Sequence, residues 1–189
     1  RSGSVTGVQT CALPICATDA PVGHLKFCEA NPDDCRIRGH GEGDVELTTR
    51  RWQELLSVNR KVNQAVKPLS DQAQYGMIEK WTYPTTGKGD CEDYVLLKMR
   101  KLMELGWPVS ALLITVVRDE NNEGHAVLAV RTSSGDLILD NKHLHILAWQ
   151  DTKYTYIKRQ SALDPRSWDS LIPMHVAPTV AASGADKDH

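Results

Sequence analysis

Three residue types that together perform nucleophilic acyl chemistry stand at defined places in this sequence. Cys91 lies in Gly-Lys-Gly-Asp-Cys-Glu-Asp-Tyr, residues 87–94; His125 opens His-Ala-Val-Leu-Ala-Val-Arg; Asp140 follows Leu137-Ile138-Leu139. A cysteine attacks as its thiolate. An imidazole can take the thiol proton while a carboxylate fixes the tautomer and orientation of the ring. Each residue also has a plain reading. Cys91 could be a small buried residue under a helix start, and His125 a strand-edge residue with His143 and His145 as other imidazoles nearby. Asp140 could simply begin an Asp-Asn turn.

The elements around them favour the joint reading. Gly87 and Gly89 make a permissive loop, Asp90 is a good N-cap, and Asp93 stands where a capping box carries its acid. Val95, Met99, Leu102 and Met103 recur at helical spacing until Gly106 and Pro108 stop the helix. Cys91 is thus expected at the first helical position. There the free amides and the macrodipole favour a thiolate, with pKa values of roughly 3.5 to 7.5 for cysteines so placed. Beyond the helix the period changes to two. Residues 111–118 and 125–131 read as strands, Leu137 to Asp140 as a third, joined by polar turns into an antiparallel meander. Residues 154–158 alternate and could add a fourth. In a meander the start of the second strand lies beside the end of the third, so His125 and Asp140 can meet. A helix packed on the sheet can bring Cys91 to the same edge. The first amides of that helix could hold an oxyanion, joined by a side chain from the Trp81–Tyr83 segment.

Upstream, Thr48 to Val66 is expected to be a helix with Trp52, Leu55, Leu56, Val62 and Val66 as its apolar stripe and Pro68 as its stop. Asn59 and Asn63 share one side of it, as polar core residues or as the lining of a groove. Residues 20–47 read as irregular. Residues 69–86 connect, and their Trp81 and Tyr83 could wall a cleft or pin a loop. Residues 1–19 lack the basic region and the apolar core of a secretory signal and resemble a non-native leader, so they are set aside. Residues 20–175 then form one domain, and 176–189 a disordered tail.

Composition narrows the class. The 189 residues are 41% apolar with a net charge of −2, which gives no reason to expect nucleic acid binding. No apolar run approaches the ~18 residues of a membrane span, so no direct membrane insertion is expected. Of the five cysteines, Cys28 and Cys35 close a short loop rich in turn residues and are expected to pair in an oxidising compartment.

Gly-Asp-Cys-Glu-Asp-Tyr at 89–94, Glu-Gly-His-Ala-Val-Leu at 123–128 and Leu-Asp-Asn at 139–141 resemble the bacterial transglutaminase-like cysteine proteinases. The best-known members are periplasmic LapG-type proteases that release biofilm adhesins. The resemblance covers roughly residues 25–170. It implies a papain/transglutaminase-like α/β (α+β) fold, with N-terminal helices packed on an antiparallel sheet and the catalytic Cys at a helix N-terminus. It implies Cys91 as nucleophile, His125 as base and Asp140 as orienting carboxylate. It also implies calcium (Ca²⁺) near the nucleophile, matched here by Asp90 and Glu92, with Asp93 a further ligand. Carboxylates beside a thiol oppose its ionisation, and a cation that takes several oxygen ligands would offset them. The alternative is that Glu92 and Asp93 only complement the helix dipole.

The expected function is therefore a cysteine endopeptidase of the bacterial periplasm acting on a protein substrate. By resemblance that substrate is a large surface adhesin, and an inner-membrane cyclic-di-GMP receptor is the restraining partner. The alternatives are acyl transfer or amide hydrolysis with the same triad, and a non-catalytic binding module.

Overall fold

The computed structural model describes residues 16–36 and 44–172. The expected tail and residues 1–15 of the expected leader lie outside them. Cys16–Thr18, also set aside with the leader, forms a short strand, β1.

Val22–Ala30 is helix α1 and Thr49–Ala65 is α2. The Thr48 hydroxyl accepts the amide of Arg51 at the start of α2, a cap typically worth about 1 kcal/mol. Two-residue strands β2, Lys67–Pro68, and β3, Lys88–Gly89, pair in parallel, with the short helix α3, Asp71–Tyr75, between them. Helix α4 runs Cys91–Glu104. Past its C-cap, Leu105, Gly106 takes φ 84, and the amide of Trp107 reaches back to the carbonyl of Leu102.

The strands that follow are β4, Leu112–Arg118; β5, Gly124–Thr132; β6, Gly135–Leu139; β7, Leu147–Ala148; β8, Thr155–Gln160; and β9, Trp168–Ser170. With β1 they form a seven-stranded antiparallel sheet, ordered β1-β9-β8-β4-β5-β6-β7. The expected meander is its centre. The stretch expected to be irregular, 20–47, instead contains α1.

Alternation along β5 and β6 divides the core. Leu112, Ile114, Ala126, Leu128, Val130, Leu137 and Leu139 pack with Phe27, Leu55, Val58, Val62, Val95, Met99 and Leu102 from the helices. Val117, Val127, Ala129 and Ile138 pack on the other face with Tyr154 and Tyr156. A mixed α/β fold results, helices layered on one face of a large antiparallel sheet. Cys28 and Cys35 are joined as a disulfide with 5.5 Å between their Cα atoms, as their spacing implied. Among the described residues no helix is long and apolar enough to cross a membrane.

Candidate active site

Cys91 is the first residue of α4, as its sequence context implies, and the loop before it is fixed from two sides. The amides of Lys67 and Leu69 donate to the carbonyls of Gly87 and Gly89 at 2.9 and 3.0 Å. Gly87 takes φ 71, which a side chain would resist. The Tyr94 hydroxyl donates to the Val66 carbonyl at 2.6 Å and ties the first turn of α4 to the end of α2.

The expected capping box is absent. Asp90 is the N-cap residue, but its side chain makes no cap hydrogen bond and accepts the amide of Asp71 instead, at 3.3 Å. Asp93 Oδ1 accepts the amide of Thr82 at 2.9 Å. Both acids hold the preceding connection in place of the helix end.

His125 and Asp140 meet as the meander implies. Leu139 pairs with Leu128 at the middle of β5, and the chain then leaves the sheet toward the end of β5 that carries His125. His125 Nε2 and Asp140 Oδ1 are 2.8 Å apart, and both side chains are almost wholly buried. Asp140 also accepts the hydroxyl of Tyr154 and the amide of Lys142. Burial alone would push this carboxyl up. The hydrogen bond and charge of His125, with the Tyr154 hydroxyl, outweigh burial and hold it at about 2. Asp140 is therefore an anion, and the ring proton belongs on Nε2, which leaves Nδ1 as the basic nitrogen.

The Cys91 sulfur lies against the backbone amide of Ala126, the residue after His125. Its thiol donates to Glu92 Oε2 at 3.0 Å, and no hydrogen bond joins it to the His125 ring. Burial pushes the thiol well above its ordinary range, and the Glu92 and Asp90 carboxylates push it further; the Ala126 amide opposes them. The helix dipole alone therefore does not make this sulfur a thiolate.

The acids divide differently from the sequence expectation. Carboxylate oxygens of Asp71, Asp90 and Asp93 lie within 4.8 Å of one another, whereas Glu92 turns to the thiol. Asp90 Oδ1 and Asp93 Oδ2 are buried without a hydrogen-bond partner. Burial pushes Asp93 up to about 8, with Asp90, Asp71 and Glu92 adding to it against the Thr82 amide. Burial, then Glu92, also raises Asp90. Two buried, unpartnered oxygens among three carboxylates form a donor set suited to a hard cation such as calcium.

Sequence reasoning missed Asp71, Tyr154 and Lys142. Asp71 is 19 residues upstream of Asp90 and carries no motif. Tyr154 reads in the sequence only as a strand start, and β8 begins one residue later. The Lys142 ammonium, paired with Asp119 Oδ2 at 2.6 Å, also interacts electrostatically with Cys91. His143 lines a small cavity with His145 beside Asp140 and Tyr154. The aromatic segment pins a loop: Trp81 is buried against His24 and Trp168, and the Tyr83 hydroxyl donates to Asp34 Oδ2 at 3.0 Å. Asn59 is buried and Asn63 half-buried, and they donate to the carbonyls of Leu144 and Asp140 at 3.2 and 2.8 Å.

Helices on one face of an antiparallel sheet, a cysteine opening a helix and a joined His–Asp pair at the sheet edge define the transglutaminase-like cysteine peptidase class. Residues 15–175 match the bacterial transglutaminase-like cysteine proteinase (BTLCP) family. The chain belongs to that family. A search of curated protein sequences finds no match. Among solved structures it is similar to EGTA-treated Legionella pneumophila LapG, with TM-score 0.51 and 28% identity over 57% of this chain and 62% of that one. A second Legionella pneumophila LapG structure gives TM-score 0.50 and 27% identity over 59% and 64%. The chain thus spans less than two thirds of either. Calcium-bound LapG from the same organism shares the fold at TM-score 0.52 and 22% identity, over 73% of this chain and 83% of that one.

Proposed function

We propose that this chain is a calcium-dependent cysteine endopeptidase of the bacterial periplasm, with Cys91 as nucleophile, His125 as general base and Asp140 as the carboxylate that orients the ring. The observation that carries it is the buried 2.8 Å His125–Asp140 pair, whose neighbouring residue, Ala126, presents its amide to the Cys91 sulfur. With Nε2 held by Asp140, Nδ1 takes the thiol proton. The sulfur adds to a peptide carbonyl, and the first amides of α4 receive the developing oxyanion. Collapse expels the amine, which leaves with the proton from the imidazolium, and an acyl-enzyme remains. Water, deprotonated by the same ring, then releases the acid and restores the thiol.

Asp71, Asp90 and Asp93 are the residues that would hold calcium, with Glu92 beside them. Bound there, the ion would supply positive charge against the carboxylate field that adds to burial in holding the thiol up. The LapG structures that carry calcium or were treated with EGTA support this reading, as do the two unpartnered carboxylate oxygens. The Cys28–Cys35 disulfide supports an oxidising compartment. The family resemblance supports a surface adhesin as substrate, cut at small residues, and a membrane cyclic-di-GMP receptor as the restraining partner.

Incubation with a small-residue-rich adhesin segment in calcium tests the assignment, with mass analysis to separate cleavage from amine incorporation. Cleavage should fall at least about a thousandfold in Cys91→Ala. Undiminished cutting by that variant would overturn the assignment.

A further inference from the structure

Tyr154 stands just before β8 and Asp140 just after β6, and β4 and β5 run between those two strands. Strand pairing therefore gives the two residues no tie. A side chain supplies one. The Tyr154 ring packs on Val117, Val127, Ala129 and Ile138 at the sheet face away from the helices, and its hydroxyl donates to Asp140 Oδ2. The same ring meets that of His125 edge-on, with centroids 5.9 Å apart and planes at 73°. One residue thus touches both members of the His125–Asp140 pair.

The two oxygens of Asp140 have separate tasks. Oδ1 faces His125 Nε2 at 2.8 Å and accepts the Lys142 amide at 2.9 Å, while Oδ2 accepts the Tyr154 hydroxyl. The carboxylate is almost wholly buried. Removing the hydroxyl would strip Oδ2 of the bond it makes among the described residues, and a buried charged acceptor so left is costly. The carboxylate would then turn or take up a proton. Either change removes the single orientation that keeps the ring proton of His125 on Nε2. A phenylalanine would cover the same apolar cluster, so the hydroxyl is explained by what it does to Asp140. Burial and the charge of Asp140 hold this phenol above its ordinary range, and it stays a donor. From the helix layer, Asn63 holds the backbone carbonyl of Asp140 at 2.8 Å. The residue is therefore fixed from both sides of the sheet.

We propose that Tyr154 is a positioning residue for the active site: its hydroxyl and ring together lock the Asp140 carboxylate and the His125 imidazole in the one arrangement that leaves Nδ1 free for the thiol proton. This rests on the catalytic reading of Cys91, His125 and Asp140. The effect of Tyr154 on the chemistry passes through that pair.

The test compares the full chain with Tyr154→Phe, Tyr156→Phe, His125→Ala and the combined Tyr154→Phe, His125→Ala variant, all in calcium chloride. Tyr156 packs on the same cluster, and its hydroxyl meets Thr152 Oγ1 at 2.9 Å and the Trp149 carbonyl at 3.2 Å. Tyr156→Phe thus removes a like hydroxyl away from the pair. Iodoacetamide labelling of the Cys91 peptide is followed at one neutral pH, ¹⁵N NMR reports the ring tautomer of His125, and melting shows which variants are folded. In Tyr154→Phe, labelling should slow by about 10- to 100-fold, the span seen when an orienting partner is lost. The His125 signal should move from a single Nε2–H tautomer to a mixture. Tyr156→Phe should match the parent in both. In the combined variant labelling should be no slower than in His125→Ala, because the two residues act as one unit. Where Tyr154→Phe fails to fold, Tyr154→Leu, which also lacks the hydroxyl, takes its place. Parent labelling with an unmixed tautomer in the folded Tyr154 variant, or an equal loss in Tyr156→Phe, would overturn the role of Tyr154 alone, provided His125→Ala is slowed. Further slowing in the combined variant would overturn the route through His125. Undiminished labelling in His125→Ala would overturn the catalytic reading beneath it.

Discussion

Gly89 and Asp93 share one small space. A Cβ on Gly89 would lie 2.5 Å from Asp93 Oδ2 and 2.7 Å from its Cβ, closer than side-chain carbons approach. Gly89→Ala should therefore push Asp93 off the Thr82 amide, loosen the loop before Cys91 and cost stability of about 1–3 kcal/mol. Denaturant melts measure the loss, and peptidase activity should fall with it. A variant as stable and active as the parent would show that this approach is not required. At this scale the sequence announced the reacting types, because a Cys at a helix start and a His and an Asp at matched strand ends follow from local pattern alone. It did not announce Asp71 or the turning of Glu92 to the thiol. Those depend on how α3 is folded back against the N-terminus of α4, which no periodicity encodes.

At the scale of elements, α2, α4 and the central strands were legible from capping, stripe and alternation. Helix α1 was not. It is nine residues long, has no side-chain N-cap bond, and buries Gly23, His24, Phe27 and Cys28 among residues of mixed polarity. Its position is set by tertiary contact: a Cβ on Gly23 would lie 2.3 Å from the Trp81 ring. The disulfide closes the segment after α1, and Asp34 within that segment receives the Tyr83 hydroxyl from the connection leading to Cys91. Replacing Cys28 and Cys35 with serine should lower unfolding free energy by about 2–3 kcal/mol, the chain-entropy value for so short a loop. Equilibrium denaturation of the oxidised parent and the double variant gives the difference directly.

For the whole molecule, one buried imidazole joins three elements. The indole of Trp168 in β9 donates to His24 Nδ1 at 3.2 Å, and Gln160 of β8 lies 3.4 Å from Nε2. Burial pulls His24 down to about 4 from its ordinary 6.5. The unfolded chain thus takes up this proton at a higher pH than the folded chain does. The stabilisation is complete above about pH 6.5 and is lost as pH falls through about 4, a loss of about 3 kcal/mol. Denaturation at about pH 7 and about pH 4.5 should show most of that fall. His24→Gln should flatten it, and an unchanged acid slope in that variant would assign the loss elsewhere.

The crowding of Asp71, Asp90 and Asp93 implies an exchange of ions. With Asp93 raised to about 8 and Asp90 raised alongside it, the trio retains hydrogen ions near neutrality that a divalent occupant must expel. Calcium chloride added to chelator-stripped protein should raise the melting temperature and release acid into weakly buffered solution. Calorimetry in two buffers of different ionisation enthalpy would count the hydrogen ions, and identical heats would mean that none leave. Such an enzyme would read the acidity of its surroundings through its appetite for the metal, binding it more weakly as the medium sours.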